Sequence, residues 1–298
     1  MENKKLRGRI DWITTLIPFV IVLAMMLVFM LVPTQSKMFV DTLRGFFGDT
    51  IGIYYAILGI GCVFVSLYLA LKSKYGEIRL GNIEKPVYGN FAWGTMIFTS
   101  TMAADIMFYS LIEWALYGAE PHVTELGKMQ LWAPTFPLFH WGPLAWGFYV
   151  VLAISFAFMM HVRKRDRQRF SEAVRPLLGD KIDGAWGKVI DIVAVFAMVC
   201  ATATTFSLAT PLLASALASV FGISTSVTLT IGILLLICAV YTITVLLGMS
   251  GISKLASFCS YMFFAILFYF LFLGGETRYI VETGFQSLGN MVQNFGLT

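Results

Sequence analysis

The chain has 298 residues, 58% of them hydrophobic and only 13% charged, with a formal net charge of +4. A soluble domain carries about 25% charged residues, so the composition excludes a water-soluble globular protein. It implies an all-α polytopic membrane protein.

In chain order, seven stretches are long and apolar enough to cross a bilayer core of about 30 Å, which takes about 20 helical residues. They lie near 12–33, 51–72, 91–117, 138–161, 188–219, 225–248 and 254–275. The first is not a cleavable signal peptide, because its apolar run is too long and no small-x-small site precedes Pro33. With the N-terminus in the cytoplasm, the inner segments hold 17 of the 21 Lys and Arg residues. Only Lys37, Arg44, Lys128 and Arg278 lie outside. That asymmetry satisfies the positive-inside rule and accounts for the basic charge without a nucleic-acid partner. The run Arg163, Lys164, Arg165, Arg167 and Arg169 faces the side where anionic lipid is found.

The loop 118–137, with Pro121, Pro134 and Pro137, is expected outside, and the mixed-charge loop 162–188 inside. After the last span, Val281, Phe285, Leu288, Val292 and Phe295 share one helical face opposite Glu282, Asn290 and Gln293. The segment is too polar to span and reads as an interfacial amphipathic helix on the outer surface; the plainer alternative is a disordered tail. Cys62, Cys200, Cys238 and Cys259 all fall within spans without metal-ligand spacing and read as small apolar fillers. His122, His140 and His161 are too scattered to suggest a metal site.

Three spans carry residues with chemistry. Asp105 and Glu113 lie within the third, about 80° apart around a helix and roughly 12 Å along it. A carboxylate inside a membrane is costly and by default marks an ion or substrate pathway. Asp105 is the stronger candidate, mid-span beside Ala103 and Ala104; the plainer alternative is a structural pair with a neighbouring helix. The fourth span opens PLFHWGPLAWGFY. On a regular helix Trp141, Trp146 and Tyr149 fall within about 140°, either as an interfacial aromatic belt or as ring faces for a cation without hydrogen-bond donors. In the fifth, Thr202, Thr204, Thr205 and Ser207 precede Pro211, which frees a carbonyl about a turn upstream. Hydroxyls and free carbonyls suit Na⁺, although Ser and Thr also pack between membrane helices.

FHWGPLAWGFY followed by AFMMHVRKR, MAADIMFYS, and TTFSLATPLLASALASVFGI together resemble the betaine/carnitine/choline transporter family, from about residue 11 to the end. The resemblance implies two leading helices and then two five-helix halves in a LeuT-type inverted repeat. Residues 1–89 correspond to the tail and leading helices, 90–275 to the first repeat and 276–298 to the surface helix between the halves. The second repeat is not expected within this chain.

Carried over residue by residue, Trp141, Trp146 and Tyr149 match the family's box for quaternary ammonium groups, with Asp105 as a further substrate residue. Asp105, Met102, Thr204 and Thr205 are ion-coupling candidates. The stretch MAAD departs from the glycines of sodium-coupled betaine carriers and is closer to proton-coupled choline carriers. Cys259 stands where sodium-independent carnitine exchangers have arginine, which favours coupling to H⁺ or Na⁺. The expectation is a multi-pass transporter of the cytoplasmic membrane, for choline or glycine betaine ahead of carnitine. It needs no cofactor beyond a coupling ion, and the family implies a homotrimer. The rival expectation is a non-transporting fragment or assembly subunit. An intramembrane enzyme is disfavoured, because no HExxH, GxSxG or paired catalytic carboxylates occur.

Overall fold

The computed structural model describes residues 11–101 and 103–296. Every regular element among them is helical. Among the described residues, six helical segments are long and apolar enough to cross a membrane, and none of the six has more than 11% of its apolar window buried. Helices so apolar and so exposed are stable only with lipid or other apolar partners around them. The chain is a multi-pass membrane protein. The third expected span, near 91–117, is shared between helices Asn90–Thr101 and Ala103–Gly118. Met102, one of the ion-coupling candidates, lies between them and outside the described residues.

The described helices form two compact units. One comprises the chain up to Ile83 with Pro143–Ala203, the other Glu84–Gly142 with the chain from Thr204 onward.

In the first unit, α1 (Trp12–Leu31) starts on Asp11, whose carboxylate accepts the Thr14 N–H at 3.3 Å. That cap holds the Asp11 carboxyl below its ordinary value. A further helix, α2 (Pro33–Gly45), not expected from the sequence, leads through a π-helical turn, Phe46–Thr50, to α3 (Gly52–Leu71). Helix α3 packs on the part of the fourth span that lies in this unit. Its seam is glycine: a Cβ at Gly59 would meet Leu144 Cδ1 at 2.2 Å, and one at Gly147 would meet Val63 Cγ2 at 2.7 Å. Small residues let membrane helices approach this closely.

The loop 162–188 is folded around one arginine. The Arg175 guanidinium forks onto Glu172 at 2.8 and 2.9 Å and donates to Asp183 at 3.0 Å from both terminal nitrogens. These bonds hold the Glu172 and Asp183 carboxyls below the usual carboxylate range. Ser171 ties the loop to the fifth span, donating from its backbone N–H and its hydroxyl to the two oxygens of Asp191 at 2.8 and 2.9 Å.

In the second unit, α4 (Asn90–Thr101) packs on the seventh span, with Phe91 stacked on Tyr261 at 5.0 Å and Phe98 against Phe263 at 5.3 Å. Helix α5 (Ala103–Gly118) packs against α6 (Met129–Phe139). The second half of the loop expected at 118–137 is therefore helical. Pro134 and Pro137 remove two ladder bonds from α6, but the helix is held from two sides, with Trp132, Ala133, Thr135 and Phe139 buried.

The fourth span continues from α6 through the π-helical turn His140–Leu144 into α7 (Ala145–Ala157). The fifth is α8 (Ala185–Phe221), closed by Gly222 at φ 65°, a left-handed position that ends a helix at least cost on glycine. Then follow α9 (Val227–Leu246), α10 (Gly248–Phe268) and α11 (Thr277–Gln293). Helix α11 docks on α6 through its polar side: Ser287 and Asn290 are buried, and Asn290 donates to Thr135 Oγ1 at 3.1 Å. Its apolar side points away, leaving Phe285 73% and Val292 69% exposed.

Candidate functional site

Trp146 and Tyr149 belong to the first unit and form an edge-to-face pair with ring centroids 5.7 Å apart. Their direction follows from the glycine seam. Leu144, Gly147 and Phe148 meet α3, and at 100° per residue both aromatics fall about 150° from that side. The pair is half-buried on the face of α7 turned away from α3.

Trp141 has a different setting, in the second unit. Gly142, at φ −90° and ψ −111°, leaves helical geometry within the π-helical turn. The regular helix assumed from sequence for placing Trp141 on one arc with Trp146 and Tyr149 is thus interrupted between them. The indole N–H of Trp141 donates to Glu113 Oε2 at 2.6 Å, and His140 Nδ1 lies 3.2 Å from Glu113 Oε1. The His140 ring stacks on Trp141 at 5.0 Å, and Tyr109 is tilted against it at 5.8 Å. Tyr109, Glu113 and Trp141 line a cleft of about 430 Å³, walled further by Ile106, Pro134 and Pro137. Glu113 itself is buried, at 6% exposed.

Asp105 lies on α5, near the start of its described part. The Thr205 hydroxyl of α8 donates to its two oxygens at 3.3 and 3.5 Å. The other hydroxyls of the fifth span divide. Thr202 donates to the Met198 carbonyl at 2.9 Å and Ser207 to the Thr204 carbonyl at 2.7 Å, the ordinary back-bonding of a helix. Thr204 is exposed on α8.

The structure therefore brings together Asp105 with Thr205, and Trp146 with Tyr149. Beside Trp141 it sets Glu113, Tyr109 and His140, of which the sequence marks only Glu113, as the weaker of two candidate carboxylates. A carboxylate within an apolar span is the signal for Glu113; its indole partner, 28 residues on in another helix, has none.

The family profile described as BCCT, betaine/carnitine/choline family transporter, matches residues 13–297. The chain belongs to the betaine/carnitine/choline transporter family. It is 31% identical over 247 residues to the "Probable glycine betaine transporter" of Desulfitobacterium hafniense (strain Y51), covering 80% of this chain and 49% of the relative. It is 28% identical to the glycine betaine transporter OpuD of Bacillus subtilis (strain 168), covering 84% and 49%. To the glycine betaine transporter of Acinetobacter baylyi (strain ATCC 33305 / BD413 / ADP1) it is 26% identical, covering 95% and 43%. The chain spans about half the length of the curated relatives it matches. The family is described as one of transporters, not of enzymes.

Proposed function

We propose that this chain supplies part of the substrate site of a secondary transporter for a quaternary ammonium compound, glycine betaine or choline ahead of carnitine. The observation that carries the reading is the Trp146–Tyr149 pair on the face of α7 turned away from α3. A trimethylammonium group has no hydrogen to donate, so ring faces and apolar contact are what can hold it. The names of the relatives favour betaine. Asp105 favours choline, whose positive charge has no carboxylate of its own to balance it.

Coupling runs to H⁺ or Na⁺ through Asp105 and Thr205, with Thr204 and Met102 as further candidates. The N-terminus lies in the cytoplasm, the protein sits in the cytoplasmic membrane, and alternating access uses two repeats of which this chain carries the first. Trimerisation is part of the same family-based reading. The rival reading is a non-transporting membrane fragment or assembly subunit.

The test is uptake of radiolabelled choline and glycine betaine into proteoliposomes at set Na⁺ and pH gradients, with carnitine as competitor. The chain is compared with a version joined to whatever sequence follows it in its gene. Uptake driven by either gradient in the chain or in the extended version supports the proposal, and the effective gradient identifies the ion. Binding and uptake absent from both would sink it.

A further inference from the structure

We infer that Glu113 is a positioning residue for the cation site: its carboxylate fixes the indole of Trp141 and so sets the ring face presented to the cleft. The inference deepens the proposed function and rests on it. A carboxylate buried within a membrane span is expensive unless its oxygens are satisfied. Glu113 spends both oxygens on two consecutive residues, Oε2 on the Trp141 indole at 2.6 Å and Oε1 on His140 Nδ1 at 3.2 Å.

The stacking of His140 on Trp141 makes the two rings one slab, and the single carboxylate grips both edges of it. The backbone next to Trp141 gives a reason for such a grip. In an unbroken α-helix the backbone and neighbouring turns restrict the rotamer, but here the adjoining Gly142 has left helical geometry. A side-chain bond supplies the direction that the helix does not. Tyr109 is tilted against the indole at 5.8 Å, and both rings line the cleft of about 430 Å³, within the size range of small-ligand sites.

The rival role for Glu113 is to offer its charge directly to the cation, and the two roles separate under substitution. In Glu113→Gln the amide oxygen still accepts the indole N–H and the amide NH₂ can meet His140 Nδ1 as an acceptor, so the grip survives without charge. In Glu113→Ala both bonds are lost. Trp141→Phe keeps a ring but removes the N–H that Glu113 holds.

The probe is choline, with binding measured on the full chain in lipid nanodiscs by equilibrium dialysis. Glu113→Ala and Trp141→Phe are each expected to weaken binding about tenfold, the scale of one hydrogen bond to a charged group. Glu113→Gln should stay within about threefold of wild type, since it keeps the bond. Combining Glu113→Ala with Trp141→Phe should add no further loss, because Glu113 acts through Trp141. In parallel, ultraviolet resonance Raman spectra, differenced against Trp141→Phe, report the hydrogen bond of the Trp141 indole. That band should shift in Glu113→Ala and return towards its wild-type position in Glu113→Gln.

An unshifted band in Glu113→Ala overturns the positioning role whatever the binding does. Binding in Glu113→Gln as weak as in Glu113→Ala, or losses that add in the double variant, overturns it in favour of direct charge. If the wild-type chain and its extended version bind no choline or betaine, the functional reading fails and the proposed role falls with it, while the Raman result still reports the bond separately.

Discussion

The Thr205 hydroxyl of α8 lies 3.3 and 3.5 Å from the two oxygens of Asp105, joining the fifth span to α5. Both distances are long for a bond to a carboxylate oxygen, so the hydroxyl is shared between two acceptors without saturating either. Thr205→Val keeps the shape and removes the donor, whereas Thr205→Ser keeps it. On the proposed function, Thr205→Val lowers the apparent affinity for the coupling ion about tenfold and Thr205→Ser changes it little. Uptake measured against Na⁺ concentration and against external pH checks this; equal behaviour of the two variants counts against a role for the hydroxyl.

Asp105→Asn removes a charge and leaves a side chain of the same size. Choline gains from that charge and zwitterionic betaine gains less. The expected outcome is a loss of choline affinity of about tenfold with betaine affinity changed less than about threefold. Competition between the two substrates in one assay gives the ratio directly. A parallel loss for both would assign Asp105 to coupling alone.

The seam between α3 and α7 has no room for added volume. Leucine at Gly147 would drive into Val63, whose Cγ2 lies 2.7 Å from where even a Cβ would stand. Gly147→Leu is expected to destabilise the first unit by about 1–3 kcal/mol and to turn the Trp146–Tyr149 pair. Thermal unfolding in detergent, followed by tryptophan fluorescence, measures both effects together.

The Arg175 cluster should respond to acid in one direction. Glu172 and Asp183 have lower values in the folded loop than in an unfolded chain. Their contribution is therefore complete above the ordinary carboxylate values, about 4, and is lost as pH falls through the lowered folded values. Hydrogen exchange of residues 170–183 should be flat from neutral pH down to about 5, after correction for intrinsic rates, and lose protection below about 4. Arg175→Ala should remove that protection at neutral pH, at a cost of about 3 kcal/mol because it leaves the buried Glu172 carboxylate unpaired.

Much of the helical order was legible, since about 20 apolar residues in a row have few other solutions. The helix after the last span was legible as well: the spacing of Val281, Phe285, Leu288 and Val292 marks one face, which α11 leaves exposed, while Phe295, expected on the same face, packs on Phe139. The start of the fourth span was not. Pro134 and Pro137 read as loop residues, because nothing local announces that α5 and α11 support α6 from outside. The Trp141 setting was hidden for a related reason. Periodicity assumes a constant rotation per residue, and the π-helical turn with Gly142 breaks that assumption between Trp141 and Trp146. The Glu113–Trp141 bond joins separate helices, and no spacing along the chain encodes it.

Gly59 and Gly147 have a consequence for temperature. Docking helices usually freezes side chains at the seam, and that loss grows with temperature as an entropic term. These two positions have no rotamers to freeze, so this part of the α3–α7 contact orders only the facing side chains of Leu144, Phe148 and Val63. The orientation of Trp146 and Tyr149 is thereby anchored to the part of the seam whose hold fades least on warming.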